Sequence, residues 1–211
     1  MSVLDKASIL TEIARRERVH LELGCGANKR TPSAIGIDML DYPCVDLVGD
    51  VYEALQLFPD HSVDSVSSFH FIEHVPDVNR LLTDLARVLK IGGIARIVAP
   101  HFSNPYFYSD LTHNRFFGLY TFDYYATNSH FSRKVPTYDN KIQFEISSVD
   151  LIFKSSRPFY FRHGFKKLFG SLFNSSNFMK ELYEENFCYL FPCYEVSYLL
   201  TRKPAHQNEK Q

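Results

Sequence analysis

The sequence has no tryptophan, almost no net charge and no long apolar segment. Its formal net charge of -1 excludes a general attraction to nucleic acid or anionic membranes. A bilayer span needs roughly 18 apolar residues, and the N-terminal segment lacks the apolar centre of a secretion signal. The few cysteines form neither a CxxC pair nor a disulfide framework; they are Cys25, Cys44, Cys188 and Cys193. We therefore predict a cytoplasmic protein, with neither nucleic acid nor a membrane as an expected partner.

Apolar residues make up 45% of the 211 residues, which is enough to bury the core of one domain. The aromatic residues are 19 phenylalanines and 13 tyrosines, and most of them follow residue 100. This uneven distribution indicates that the two halves of the chain do different work.

Short apolar runs alternate with helical patterns in the first half of the chain. The patterns predict strands at 19–23, 34–37, 45–48, 63–69 and 94–99, and helices at 3–16 and 78–89. Asp77 is the expected cap of the second helix, and Gly92-Gly93 its expected end. Two later strand patterns, 144–153 and 194–200, predict an antiparallel edge. The expected fold is a three-layer αβα arrangement with a mostly parallel sheet and an antiparallel edge strand.

Glycines and acidic residues follow the first three predicted strands. Gly24-Cys25-Gly26 comes directly after the first strand, Asp38 ends the second, and Asp50 follows the third. The carboxyl ends of parallel strands share the sheet edge at which α/β proteins bind ligands. One carboxylate can accept ribose hydroxyls and the other an exocyclic amine, so the set predicts a nucleoside pocket. The alternative is a tight structural turn beside solvated carboxylates.

The loop after the first strand argues against a dinucleotide. A dinucleotide fingerprint needs a third glycine and a helix whose N-terminus holds the pyrophosphate. Lys29 occupies the third glycine position, and only residues 29–33, which include Pro32, precede the next strand. A nucleoside without phosphates is therefore the better candidate.

These residues resemble the motifs of class I S-adenosylmethionine-dependent methyltransferases. The matching segments are 21–26, 36–38, 49–51, 71–75 and 89–93. The resemblance covers roughly residues 19–100 and implies a Rossmann-like, seven-stranded sheet with one antiparallel strand and S-adenosyl-L-methionine as cofactor. It places Glu22 and the glycine turn (Gly24, Cys25 and Gly26) beside the methionine portion, Asp38 beside the ribose, and Asp50 with Val51 beside the adenine. Met39 and His70 complete the expected cofactor-binding set.

The segment His70-x-x-Glu73-His74 has the residue spacing of one type of zinc site. That site needs both histidines on one helix face, whereas this segment follows a strand directly and Pro76 lies just beyond it. We therefore predict no metal and place these side chains at the mouth of the cofactor pocket. A polar loop after the strand is the alternative.

The segment 100–125 follows the fifth predicted strand and carries three polar residues among aromatics. Asp110 and His113 can meet on one helix face, where His113 would be an Asp-oriented general base. Arg115 can clamp an anionic group of the acceptor. We take His113 as the first catalytic candidate, His74 as the second and Asp110 as their partner. The alternative is a plain helix start in which Asp110 caps and the other two face water.

His101 and Tyr106 join Arg115 as the predicted acceptor-binding residues. An aspartate–histidine–arginine stretch among phenylalanines is similar to that of some bacterial methyltransferases acting on surface-glycan precursors. Residues 155–192 form an aromatic insert with helical spacing and local basic charge. A lid, a homodimer face, core packing and a membrane-surface helix are its alternative roles.

The sequence thus predicts a single methyltransferase domain over 1–211, with a cofactor-binding half (1–100), an acceptor-binding half (101–200) and a flexible tail (202–211). The expected reaction is O-methylation of a small molecule or glycan precursor, and a homodimer through the insert is a further expectation. N-methylation of an amine or protein side chain is the rival reaction. A catalytically silent, cofactor-binding regulatory subunit is the rival that is not an enzyme.

Overall fold

The computed structural model describes residues 3–6, 8–136, 144–155 and 158–204. Its strands are β1 (Leu4–Asp5), β2 (His20–Leu23), β3 (Ile35–Asp38), β4 (Leu47–Val48), β5 (Val63–Phe69), β6 (Leu89–Pro100), β7 (Phe144–Ile152) and β8 (Glu195–Arg202). Its helices are α1 (Ile9–Glu12), α2 (Val51–Gln56), α3 (Val78–Val88), α4 (Tyr160–Phe173) and α5 (Asn177–Asn186). Short 3-10 segments cover Ile13–Arg15, Ile72–His74 and Pro105–Ser109. No helix within the described ranges is long and apolar enough to cross a membrane.

The strands form one mixed sheet in the order β1-β4-β3-β2-β5-β6-β8-β7. The five strands from β4 to β6 in that order run parallel. β8 pairs antiparallel with both β6 and β7, and β1 pairs antiparallel with β4 at the opposite edge. The predicted class, a mostly parallel sheet with an antiparallel strand, is confirmed. The resemblance implied seven strands, and the short β1 is an eighth. β7 is the edge strand of the sheet at the end opposite β1, and the antiparallel β8 is its inner neighbour.

The register of the central strands brings the predicted ligand-binding residues together. β2 and β3 pair in parallel with Leu23 opposite Ile37, and both side chains are buried. The Gly24 amide donates to the Ile37 carbonyl at 2.8 Å, and the Gly49 amide donates to the Asp38 carbonyl at 2.9 Å. The carboxyl ends of β2, β3 and β4 therefore lie side by side, as the motif order predicted.

The first predicted helix is wrong at its N-terminal end. Leu4–Asp5 is a strand, and the Asp5 carboxylate accepts hydrogen bonds from the amides of Ile9 and Leu10 at 2.8 and 2.9 Å. A carboxylate at the positive end of a helix satisfies amides that have no intrahelical partner. The helix therefore starts after Asp5 and not at residue 3.

Asp77 caps α3 as predicted, because its carboxylate accepts a hydrogen bond from the Arg80 amide at 2.9 Å. The helix ends at Val88 and β6 begins at the next residue, so Gly92-Gly93 lie inside β6 and do not end the helix. Gly92 has a φ of 81°, a left-handed conformation that glycine adopts readily. The sequence analysis also missed α2, which begins immediately after Asp50.

The C-terminal third adds aromatic side chains to the hydrophobic core. Phe173 of α4 and Tyr183 of α5 are buried with their ring centroids 4.8 Å apart, and Phe153 lies 5.0 Å from Tyr183. The predicted core packing of the insert is therefore present on one side of α4. Its other large apolar side chains, such as Phe161 and Leu168, are exposed. Residues 156–157 of the insert and 205–211 of the predicted tail lie outside the described residues, whereas Arg202 ends β8.

Candidate active site

The glycine turn and Asp38 form one hydrogen-bonded unit at the sheet edge. Gly24 and Gly26 have φ values of 61° and 57°, which favour glycine. One Asp38 carboxylate oxygen accepts from the Gly26 amide at 2.8 Å, and the other accepts from the Leu40 amide at 2.9 Å. A Cβ built on Gly26 would meet no atom within 4 Å. The turn therefore presents an open backbone face beside a carboxylate, which suits a nucleoside with free ribose hydroxyls.

Glu22 holds the loop between β2 and β3. Its side chain is buried, and its two carboxylate oxygens accept from the amides of Arg30 and Thr31 at 2.8 and 2.9 Å. The loop contains no helix, as the short spacing before β3 predicted. Glu22 therefore fixes the loop that follows the glycine turn, and its expected place beside the methionine portion remains a prediction.

Three further predicted cofactor residues differ in what they offer. Met39 is 68% exposed directly after Asp38, so its side chain is available to an adenine ring. Asp50 uses one oxygen to cap α2, accepting from the Tyr52 amide at 2.9 Å, which leaves its second oxygen for an amine. Val51 packs into the core with little exposed surface, because it occupies the first turn of that helix.

Cys25 in the glycine turn is buried, with Asp38 and Cys44 nearby. Burial first, and the negative charge of Asp38 second, raise the pKa of the Cys25 thiol to about 12. The sulfur is therefore a neutral thiol at physiological pH, and its place in the site is packing beneath the turn.

His70 lies between two buried carboxylates. Its Nε2 is 2.6 Å from Oε1 of Glu195, and its Nδ1 is 3.5 Å from Oε1 of Glu73. The hydrogen bond to Glu195, followed by the contact with the Glu73 carboxylate, raises the pKa of His70 to about 9. The ring is therefore an imidazolium at neutral pH that balances these acids. It does not offer a free nitrogen to the cofactor, so its expected role changes to a structural one.

Glu73 is the centre of the predicted catalytic group. Its side chain is fully buried, and neither carboxylate oxygen accepts a hydrogen bond within the part of the chain that the structure describes. The Nε2 atom of His113 lies 4.0 Å from Oε1 of Glu73 and 3.6 Å from Oδ2 of Asp110. The rings of His74 and His113 lie 4.8 Å apart. The structure therefore brings together the catalytic residues that the sequence predicted.

The hydrogen bonds of both histidines show which nitrogen carries a proton when the ring is neutral. Nδ1 of His113 lies 2.9 Å from the Phe107 carbonyl, which can only accept, so this nitrogen donates. The Thr112 hydroxyl donates to Asp110 at 2.6 Å, so Nδ1 of His74, 2.9 Å away, donates to that hydroxyl. In each neutral ring Nε2 is left with the lone pair of a base. Segment 110–125 contains no helix, so Asp110 does not lie beside His113 on a helix face as predicted. The Phe107 carbonyl orients the ring instead.

Glu73, His74 and His113 also have the chemistry of metal ligands. One ligand atom from each lies within 4.8 Å of the other two. Ligands of a tetrahedral zinc ion lie about 3.3 Å apart, so these side chains would have to move closer together to hold one. The prediction that the site uses no metal remains a prediction.

The three predicted acceptor-binding residues lie in different environments. His101 is completely buried, and its ring nitrogens contact Ser103 Oγ at 2.8 Å and Glu184 at 3.1 Å, so it has no surface for a ligand. Arg115 donates to the Pro76 carbonyl at 2.6 Å and lines a cavity of about 540 Å³. Tyr106 is exposed and lines a smaller cavity beside α4.

The larger cavities do not coincide with the glycine turn. A cavity of about 640 Å³ is lined by Phe102, Tyr120 and residues of α5, including Glu181, Glu184 and Glu185. We place the cofactor at the turn all the same, because the strand ends, the open backbone and Asp38 meet there.

Residues 21–97 match a family model described as Methyltransferase domain. The chain contains an S-adenosylmethionine-dependent methyltransferase domain. S-adenosyl-L-methionine is the methyl donor of this family. The match covers β2 to β6, the same part of the chain that carries the motifs found in the sequence.

Solved structures share the fold of this methyltransferase domain. A SAM-dependent methyltransferase from Archaeoglobus fulgidus is 17% identical with a TM-score of 0.56, covering 92% of this chain and 93% of its own. YcgJ from Bacillus subtilis is 17% identical, TM-score 0.52, with 93% and 97% covered. Phosphoethanolamine N-methyltransferase 2 from Haemonchus contortus is 15% identical, TM-score 0.52, with 94% and 53% covered. No curated protein matches the chain.

The sequence analysis gave no catalytic role to two residues of this candidate site. Glu73 appeared in a zinc-like spacing and in the family motif at 71–75, although an acid inside an apolar segment signals a buried carboxylate. Glu195 begins β8 next to Val196 and is buried against His70, 125 residues away. No sequence pattern announces a contact over that separation, because it depends on the pairing of β6 with β8.

Proposed function

We propose that this domain methylates an oxygen of a small molecule or glycan precursor, with His113 as the general base. The observation that carries the proposal is the position of His113 Nε2, which lies against the buried Glu73 carboxylate while Nδ1 is held by Phe107. A neutral imidazole fixed in this way has the lone pair of Nε2 free to take a proton.

The proposed cofactor site uses the glycine turn, Asp38 and Met39. The Asp38 oxygens keep lone pairs for ribose hydroxyls beyond the two amides they already accept. Met39 provides an exposed apolar wall for the adenine, and the second oxygen of Asp50 is placed to accept its amine. When bound, S-adenosyl-L-methionine supplies an electrophilic methyl group on a sulfonium sulfur.

The proposed chemistry is an in-line displacement. A bound cofactor would supply the methyl carbon: the acceptor oxygen would bond to it while the carbon–sulfur bond breaks and leaves its electron pair on sulfur. His113 Nε2 receives the hydroxyl proton, and the buried Glu73 carboxylate stabilises the imidazolium that forms. His74 is the second candidate for the same role, and Asp110 adds negative charge to the pair. Alignment of the two reactants makes the largest contribution to the rate, because it can lower the activation free energy by up to roughly 7–11 kcal/mol.

N-methylation of an amine is the second candidate, favoured by the cavity of about 640 Å³ with three glutamates and several aromatic side chains. Carboxylates and aromatic faces attract ammonium groups. Glu181 and Glu184 already accept hydrogen bonds from Tyr120 and from the Leu119 amide, so part of this acidic surface serves the fold.

The test uses S-adenosyl-L-methionine labelled with carbon-13 in its methyl group, with sugar nucleotides and small amines as acceptors. The chemical shift of the transferred carbon separates a methyl ether from a methylamine. The proposal expects a methyl ether whose rate falls in His113→Ala while the affinity for S-adenosylhomocysteine is kept. A methylamine product, or unchanged turnover in that variant, would refute the oxygen acceptor or the base assignment respectively.

A further inference from the structure

A small basic cavity lies between the loop after β6 and the start of α4. Its volume is about 120 Å³, and Tyr106, Lys154, Arg162 and Lys166 are among the residues that line it. Pockets for whole drug-sized ligands measure roughly 300–1,000 Å³. A cavity of this size therefore holds one compact group of a ligand and leaves the rest outside.

The positive charges in this basic cavity are only partly balanced. Lys154 forms an ion pair with the buried Glu195. Arg162 and Lys166 stand one turn apart on α4, and neither forms an ion pair with a carboxylate among the residues that the structure describes. Arg162 instead lies over the Phe159 ring, 5.0 Å from its centroid.

The Arg162–Lys166 arrangement is unfavourable without an anion. Like charges four residues apart on a helix repel each other, and α4 carries no acidic residue that could offset them. Burial first, and the charge of Arg162 second, lower the pKa of Lys166. An anion in the cavity would relieve both effects, because it would pair with two cations at once.

The basic cavity is connected to the catalytic group through charged side chains. Lys154 contacts Glu195, and Glu195 is 2.6 Å from Nε2 of His70. Nδ1 of His70 lies 3.5 Å from Glu73, which faces His113. An acceptor anchored in the cavity is therefore a few side chains away from the proposed base.

An aromatic wall completes the cavity. Tyr106 is 58% exposed, and its ring centroid lies 6.2 Å from that of Tyr194. Nζ of Lys154 lies 4.6 Å from the Tyr194 ring centroid. The exposed Tyr106 ring, which lines the cavity beside these cations, suits a ligand that has a ring next to an anionic group.

We propose that this cavity binds a phosphate or diphosphate group of the acceptor, so that the methyl acceptor is a soluble phosphate ester. This inference rests on the proposed function, since it names the substrate class of the same site. Guanidinium and ammonium groups are the side chains that bind phosphate oxygens most readily. The cofactor lacks phosphate, so this group belongs to the acceptor.

The experiment is calorimetric titration of the full chain with inorganic pyrophosphate and inorganic phosphate, with S-adenosylhomocysteine present throughout. Arg162→Gln and Lys166→Gln should each weaken pyrophosphate binding about tenfold, the effect of one lost charge-assisted contact, and the double variant should abolish it. Lys167→Gln is the matched control, because Lys167 is exposed on the same helix and outside the cavity. Its affinity should stay within about twofold of the unmodified chain.

Three outcomes would overturn the inference. The first is the absence of binding to either anion while S-adenosylhomocysteine binds normally, a result that leaves the proposed function intact. The second is an equal loss in Lys167→Gln, which would indicate diffuse charge. The third is that the protein does not bind pyrophosphate but sediments with phosphatidylglycerol vesicles and not with phosphatidylcholine vesicles, and that the double variant no longer sediments. The phosphate would then be that of a lipid headgroup. Failure of S-adenosylhomocysteine to bind would instead count against the proposed function.

Discussion

Replacement of Asp38 tests the cofactor site most directly. Its carboxylate accepts from the amides of Gly26 and Leu40, and its remaining lone pairs are the proposed partners of the ribose hydroxyls. A hydrogen bond to a charged group contributes roughly 1.5–3 kcal/mol, so losing one such bond to the ligand raises Kd about 10- to 150-fold. Asp38→Ala should therefore weaken S-adenosylhomocysteine binding at least about tenfold. Asp38→Asn, which keeps one acceptor oxygen, should lose less.

Isothermal titration of both variants against S-adenosylhomocysteine measures this effect. Thermal unfolding must accompany it, because Asp38 also organises the glycine turn. Asp41→Asn is the matched control, because Asp41 lies three residues along the chain, is exposed and pairs with Lys6 at 2.7 Å. An unchanged Kd in a folded Asp38→Ala protein would remove the ribose assignment and the nucleoside pocket with it.

Three further predictions follow from the same geometry. His113→Ala should lower kcat by about 10²- to 10⁴-fold, the share of a general base, without changing cofactor affinity in steady-state and binding assays. Gly24→Ala should destabilise more than Gly26→Ala in urea unfolding: both pay a left-handed strain of about 1–2 kcal/mol, but only the Cβ at Gly24 meets Phe71, at 2.4 Å. Burial raises the pKa of Asp123 to about 6. The protonated side chain therefore contributes fully to the free energy of unfolding below about pH 4, and this contribution is lost as the pH rises through 6. Asp123→Asn should remove that loss, on the order of 2 kcal/mol, in unfolding curves at pH 4 and 7.

The sequence predicted the cofactor half of the fold well because its signals are local. Buried strands, their glycine and aspartate ends and the Asp77 cap depend on neighbouring residues. The errors in this half arose where one residue or pair could take either of two local roles. Asp50 could serve a ligand or cap a helix, and the structure uses one of its oxygens for the cap. Gly92-Gly93 could end a helix or bend a strand, and they lie in β6.

The acceptor half was harder to predict because its contacts are distant in sequence. Asp110 and His113 do lie together, but a helix was the wrong reason, and the Phe107 carbonyl supplies the orienting hydrogen bond. His101 was predicted to bind the acceptor, but it is buried. The sequence could not show this, because its partner Glu184 lies 83 residues further along the chain. Apolar spacing predicted α4 correctly, yet the same spacing cannot say which of its faces is covered.

The placement of positive groups separates the two proposed ligands. In a dinucleotide-binding loop the amides after the first strand would face a pyrophosphate. Here the amides of Arg30 and Thr31 are taken by the buried Glu22 carboxylate, so this loop has its own anion and favours a cofactor without phosphate. Arg162 and Lys166 of α4 instead line the small basic cavity, and neither forms an ion pair with a carboxylate among the described residues. An anionic acceptor would therefore be drawn to the side of the site away from the glycine turn, which leaves the turn to the cofactor.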